Sequence, residues 1–292
     1  MVKLIVSDID GTLLPYGQIT LRPSLFQVIE QLRERGVIFC PASGRQYHSL
    51  RGLFAPVQDE LAYLCENGAI LYGAGREEDA PVLGKTSMPR EASLALAEDI
   101  LALPGCQLLV SGANVSYVCR CTSDYVSMLK DEKGNRVQIL EHPRQIEEDI
   151  LKVSAYCPAG TKEPAQVLGP RWGEALHMAA AGPDWLDFTL ADKGTGLEQL
   201  CQALGVSPEE TVAFGDNWND AAMLHRAGRG YLMEQADPEL GKQFSLRCGD
   251  VEERLEVLRL RERFDADPQG FLLQYAEREA ALAVRIREAQ RL

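Results

Sequence analysis

Apolar residues recur along the chain in two textures. Val2–Ser7 is an apolar run that stops at Asp8, the signature of a strand buried on both faces. Leu25, Val28, Ile29 and Leu32 then repeat at i, i+3, i+4 and i+7, which is one face of a helix. Pro23 stands near its start and Gly36 just past its end, as helix punctuation requires. Val37–Ala42 predicts a second buried strand running into Ser43-Gly44-Arg45, and Tyr63–Cys65 a third followed by Glu66-Asn67-Gly68. Strand, helix and strand at this spacing make a βαβ unit and hence a parallel sheet.

The texture changes near residue 82. Arg90–Leu103 reads as a helix closed by Pro104-Gly105, and Gln107–Ser111 and Val115–Cys121 as strands paired through a Gly112-Ala113-Asn114 turn. A further helix is expected over Ser123–Lys130, with strands at Leu151–Cys157, Leu176–Ala180 and Trp185–Leu190. This is the pattern of an α+β unit inserted into the first fold. The βα rhythm returns with a helix face at Leu197, Leu200, Cys201 and Leu204, ended by Gly205. A strand at Thr211–Gly215 leads into Asp216, then come a short helix at Asn219–Ala227 and a strand at Gly230–Met233. The last stretch, Val251–Leu292, is charge-dense, with spaced apolar residues and a break at Asp265–Gly270 around Pro268. The expected fold is therefore α/β: a Rossmann-like parallel-sheet core formed by 1–81 and 186–258, an α+β cap over 82–185 and a charged helical extension over 259–292.

Composition narrows the function. The 292 residues carry a formal net charge of −13, which argues against gripping nucleic-acid phosphates or an anionic membrane. The apolar runs are far shorter than the ~20 residues that span a bilayer, and the N-terminus lacks the apolar segment of a signal peptide. Eight cysteines without a CxxC pair then read as thiols of a reducing cytoplasm. The four histidines show no HExxH spacing, so a zinc hydrolase is not expected.

Chemistry concentrates where strands end. Asp8-Ile9-Asp10-Gly11-Thr12 follows the first strand, and ligands of open α/β sheets sit beyond the carboxyl ends of strands. Two carboxylates one residue apart at such a place are costly unless a cation joins them. Gly215-Asp216-Asn217-Trp218-Asn219-Asp220 follows another apolar strand, though Asp and Asn there would also suit a helix cap. Hard oxygen ligands converging from both ends suit Mg²⁺. Ser43-Gly44-Arg45 offers a hydroxyl and free N–H groups to an anion, and Lys193-Gly194-Thr195-Gly196 places a lysine at a helix start. Taken singly, the first is an ordinary turn and the second a solvated lysine; together they supply a nucleophile, a metal carboxylate, a hydroxyl and a cation.

These four motifs, in this order, resemble the haloacid dehalogenase superfamily of phosphohydrolases, and the long insertion between the second and third resembles its type IIB, Cof-type cap. The resemblance implies a Mg²⁺-dependent phosphatase acting on a small phosphorylated metabolite, a sugar phosphate being the leading class. It implies that Asp8 accepts the phosphoryl group. Asp10 protonates the leaving alcohol, later deprotonates the attacking water, and ligates Mg²⁺ through its backbone carbonyl. It further implies that Asp8 and Asp216 supply carboxylate ligands to the metal, that Ser43, Gly44, Lys193 and Asn219 hold the phosphate, and that Asp220 and Arg45 support them. Pro41, inside the second strand, and Gly230–Ala236 depart from the family pattern. A phosphomutase of the same superfamily and a non-catalytic phosphate-binding or sensing protein are the alternatives, and a homo-oligomer through the C-terminal extension stays open.

Overall fold

The computed structural model describes residues 1–266 and residue 269. The chain opens with β1 (Leu4–Ser7), α1 (Pro23–Arg33), β2 (Ile38–Pro41), α2 (Tyr47–Leu53), β3 (Tyr63–Cys65), β4 (Ile70–Tyr72) and β5 (Val82–Lys85). A middle block follows: α3 (Arg90–Leu101), β6 (Gln107–Ser111), β7 (Ser116–Cys119), α4 (Ser123–Ser127), β8 (Val137–Leu140), β9 (Lys152–Tyr156), α5 (Lys162–Leu168), β10 (Ala179–Ala180) and β11 (Trp185–Phe188). The return comprises α6 (Lys193–Leu204), β12 (Thr211–Gly215), α7 (Ala221–Arg226), β13 (Arg229–Met233), α8 (Pro238–Gly241), β14 (Arg247–Cys248) and α9 (Val251–Ala266).

The core is a parallel sheet in the order β14-β13-β12-β1-β2. Successive side chains of a strand point to opposite faces, so each apolar run feeds two cores. Ile5, Phe39, Val212 and Phe214 pack against Leu25, Val28, Ile29 and Leu32 of α1 and Val251, Leu255 and Leu258 of α9. Leu4, Val6, Cys40 and Ala213 pack on the other side against Leu197, Leu200 and Cys201 of α6 and Met223 and Leu224 of α7. Truncating any of these leucines to alanine costs ~2–5 kcal/mol in such close-packed surroundings.

Pro41 has a place here that explains it. Ile38 and Ala42 donate their N–H groups to β1, so residue 41 faces away from it, and β2 is the edge strand of this sheet. Beyond that edge β3 meets the chain at a single bridge, Ala42 to Leu64, and builds its own antiparallel sheet with β4 and β5. The third strand of the sequence reading is thus present but mostly paired elsewhere.

The middle block forms a six-stranded sheet, β10-β11-β9-β6-β7-β8, antiparallel except for β7 and β8. The predicted hairpin joins β6 to β7. The strand expected over Leu176–Ala180 is reduced to Ala179–Ala180, because His177 sits at φ +44, which breaks an extended backbone. β11 pairs with β9, so Leu186–Phe188 lie in the cap sheet, while β5 joins the small sheet beside the core. We propose that the two crossings between core and cap run at 86–89 and 189–192. The extension over 259–292 and the break at Asp265–Gly270 lie outside the described residues, apart from residues to 266, where α9 continues, and residue 269.

Candidate active site

β1 and β12 are central neighbours in parallel register, with Ser7 opposite Phe214. Their carboxyl ends therefore place Asp8 and Asp216 side by side, and the Asp8 N–H donates to the Phe214 carbonyl at 2.9 Å. Both residues are buried. Lys193 enters from the first turn of α6. Asp192 caps that helix, accepting from the N–H groups of Gly194 (2.7 Å) and Thr195 (2.9 Å). Close approach brings the helix in: Gly196 lies against Gly68 so tightly that a Cβ on either would meet backbone.

The Lys193 ammonium is 0% exposed. It donates to Asp8 Oδ1 at 2.5 Å and to Asp220 Oδ1 at 2.6 Å. The other Asp220 oxygen accepts the N–H groups of Asp216 and Asn217, each at 3.0 Å, and so shapes the loop that carries Asp216. Burial works against the charge of Lys193, but the two carboxylates outweigh it and hold its pKa above the usual lysine value. Burial and the nearby Asp220 and Asp216 charges push Asp8 up to about 7, against the pull of Lys193. Asp8 Oδ2 accepts from Thr12 at 3.0 Å.

Asp216 holds the decisive atom. Its Oδ2 accepts the Tyr16 hydroxyl at 2.9 Å, but its Oδ1 is buried without a hydrogen-bond partner. Such an oxygen is costly unless something cationic meets it. Among the described residues Asp8, Asp216 and Asp220 form one group whose ligand atoms lie within 4.8 Å of one another. Gly11, at φ +92, passes directly over this group, and a Cβ there would run into the Asp216 carboxylate. Hard oxygen donors with one left open fit Mg²⁺.

Of the expected phosphate residues, Lys193 lies in this group, while Ser43, Gly44 and Asn219 lie on loops linked through Asn67. Ser43, at the end of β2, is buried, and its carbonyl accepts the Asn67 N–H at 2.9 Å. Asn67, at φ +56, turns its side chain to accept from Asn219 Nδ2 at 3.4 Å and lies against Gly44. Asp10 stands apart from the carboxylate group. Its half-exposed side chain is held by both arms of Arg45, Nε at 2.9 Å and Nη2 at 2.5 Å. Its expected share in the metal is its main-chain carbonyl; its side chain is engaged by Arg45.

Several contributors went unassigned in the sequence reading. Asn67 stands in the Glu66-Asn67-Gly68 turn, which carries no chemical signature of its own. Tyr16 lacks a local motif, since its partner is 200 positions away. Gln235, in the segment that departs from the family pattern, donates to the Gly11 carbonyl at 2.6 Å. His48 lies away from this group, beside Glu77 at 3.1 Å.

A model of haloacid dehalogenase-like hydrolases matches residues 5–253. The chain belongs to the haloacid dehalogenase-like hydrolase family. Within it the chain is similar to the 5-amino-6-(5-phospho-D-ribitylamino)uracil phosphatase YbjI of Escherichia coli K12, at 26% identity over 85% of this chain and 91% of that protein. It is also similar to the pyridoxal phosphate phosphatase YbhA of the same organism, at 26% identity over 85% of this chain and 93% of that protein. A solved subclass IIB sugar phosphatase of the superfamily superposes with a TM-score of 0.73 at 20% identity, covering 88% of this chain and 99% of its own. Both Escherichia coli relatives are named phosphatases, and the chain shares the fold of the subclass IIB structure.

Proposed function

We propose that this hydrolase is a Mg²⁺-dependent phosphatase that cleaves the phosphomonoester of a small metabolite through a phosphorylated Asp8. The observation that carries this reading is the unpartnered Asp216 Oδ1 beside Asp8 and the Lys193 ammonium. Asp8, Asp216 and the Asp10 carbonyl would hold the ion, with Asp220 fixing the Asp216 loop. When bound, Mg²⁺ neutralises the anionic phosphoryl group and the nucleophile that must approach it.

This chain's residues supply the rest. An Asp8 oxygen attacks phosphorus in line while the bond to the leaving oxygen breaks, and Asp10 gives that oxygen its proton. A water then attacks phosphorus, Asp10 takes the water's proton, and inorganic phosphate leaves Asp8 regenerated. Ser43, Gly44, Asn219 and Lys193 hold the phosphoryl oxygens, with Arg45 aligning Asp10.

A sugar or sugar-alcohol phosphate is the first substrate class to test. The name of the ribitylaminouracil phosphatase places the phosphate on a ribityl chain, and the subclass IIB neighbour is a sugar phosphatase. Free thiols throughout the described residues support a reducing compartment such as the cytoplasm. No described helix is long and apolar enough to cross a membrane. Acid-quenching the enzyme during turnover with Mg²⁺ should leave one phosphate on the peptide containing Asp8, detected by mass spectrometry and absent in Asp8→Asn. Turnover without such an adduct would remove Asp8 from this role.

A further inference from the structure

A second lysine is buried where the cap meets the phosphate loop. Lys152 opens β9 and leaves only 8% of its side chain exposed. Its ammonium lies 2.7 Å from Glu66 Oε2, in the turn after β3, and 3.6 Å from Asp187 Oδ2 of β11. Ser111 donates to the same Glu66 oxygen at 3.1 Å, and Ser154 to Asp187 Oδ1 at 2.6 Å. Burial disfavours the charge, but Asp187 and Glu66 more than offset it and raise the pKa of Lys152.

The third contact of Lys152 reaches the core. Nζ donates to the main-chain carbonyl of Gly44 at 2.9 Å. A trans peptide is planar, with its C=O and the next N–H pointing in opposite directions. Holding the Gly44 carbonyl therefore also sets the Arg45 N–H, which donates to Ser43 Oγ at 3.2 Å. The chain of contacts runs from the cap sheet, through one peptide plane, to the hydroxyl expected to meet the phosphoryl group.

We propose that Lys152 is a positioning residue for phosphate binding: it locks the Gly44–Arg45 peptide so that Ser43 is preorganised only while the cap sheet is seated. A lysine serving packing alone would find its partners within its own sheet; this one joins the cap to the anion-binding loop. The proposal rests on the reading that Ser43–Arg45 holds the phosphoryl group.

The test uses the full chain with Mg²⁺, p-nitrophenyl phosphate as substrate and inorganic phosphate as competitive inhibitor. Lys152→Met should raise KM and the inhibition constant of phosphate together by about tenfold, the scale of one charged hydrogen bond, with kcat within about threefold. Lys152→Arg should recover most of that loss. Should Lys152→Met fail to fold, Lys152→Met with Glu66→Gln carries one uncompensated carboxylate fewer and is read the same way. Asp187→Asn, which spares the contact to Gly44, should lower the melting temperature and leave the inhibition constant unchanged. A lower melting temperature in Lys152→Met with an unmoved inhibition constant would overturn the proposal. Ser43→Ala separates the two readings. If it weakens phosphate binding and Lys152→Met does not, only the role of Lys152 falls; if neither does, the loop does not hold phosphate and both fall.

Discussion

Lys193 and Lys152 are alike in burial and in lying between two carboxylates, and they differ in what surrounds them. Around Lys152 the polar groups close on themselves: Ser111, Ser154 and the Gly44 carbonyl complete the set, and no atom of Glu66, Lys152 or Asp187 is left buried without a partner. Around Lys193 three carboxylates face one ammonium, and Asp216 Oδ1 has no partner. A complete ionic network fixes geometry. An incomplete one with surplus negative charge is a place where a cation and its substrate bind. On the proposed reading, the Lys193 cluster is the reaction centre and the Lys152 cluster its support.

The contrast breaks most visibly at Asp8. Asp8→Asn should remove p-nitrophenyl phosphate turnover by more than about 10⁴-fold, since a lost nucleophile has no substitute. At pH 5, where Asp8 of the parent is itself protonated, the melting temperature should stay close to that of the parent. Substantial residual activity would mean that the incomplete cluster is not where bonds change. Asp10→Asn comes next, with kcat lowered by roughly 10²–10⁴, the range of general acid–base catalysis. A loss confined to KM would move Asp10 to binding.

The two lysines can also be compared directly by denaturation. Removing either cation leaves buried carboxylates facing one another, which costs ~3–5 kcal/mol. In Lys193→Met, Mg²⁺ should restore much of that loss, because the ion can neutralise Asp8 and Asp216. In Lys152→Met it should restore none. Urea unfolding with Mg²⁺ or EDTA decides this, and equal rescue of both variants would erase the distinction.

Much of the Lys193 cluster was legible in the sequence, and little of the Lys152 cluster. Asp8, Ser43 and Asp216 each follow a buried strand, where parallel-sheet topology alone brings loops together. Lys193 stands at a helix start with glycines beside it. These are local signals with a shared geometric meaning. Lys152, Glu66 and Asp187 meet only because two chain crossings fold the cap onto the core, and each sits in a segment whose pattern says strand or turn and nothing more. The same holds for Tyr16 and Gln235, whose partners are 200 and 224 positions away. β4 and β5 leave little trace in the sequence because they are short, of three and four residues, and lie between turns. β8 escaped because its pattern is mixed and half-exposed.

The smallest effect expected is a dependence of stability on pH, and it probes the surplus charge itself. Asp8 is raised from 3.8 to about 7, first by burial and then by Asp220. Between those values the folded protein holds a proton that the unfolded chain has lost. Stability in EDTA should therefore fall as pH rises from about 4 to about 7 and level off above. Asp216, raised for the same first reason, adds to the same slope. Glu77 and Asp250, held below their usual range by hydrogen bonds, act with the opposite sign, but they lose their contribution only at more acid pH, outside this window. Mg²⁺ should flatten the slope, because an ion at Asp8 and Asp216 makes the ionised form the stable one and adds binding energy that grows with its concentration. Unfolding midpoints at pH 5 and pH 8, with Mg²⁺ or EDTA, measure both effects. Asp8→Asn should lose most of the slope in EDTA, while Asp187→Asn in the completed network should keep it. If the slope survives in Asp8→Asn at full size, the surplus charge lies elsewhere, and the difference between the two lysines is one of position in the fold rather than of electrostatics.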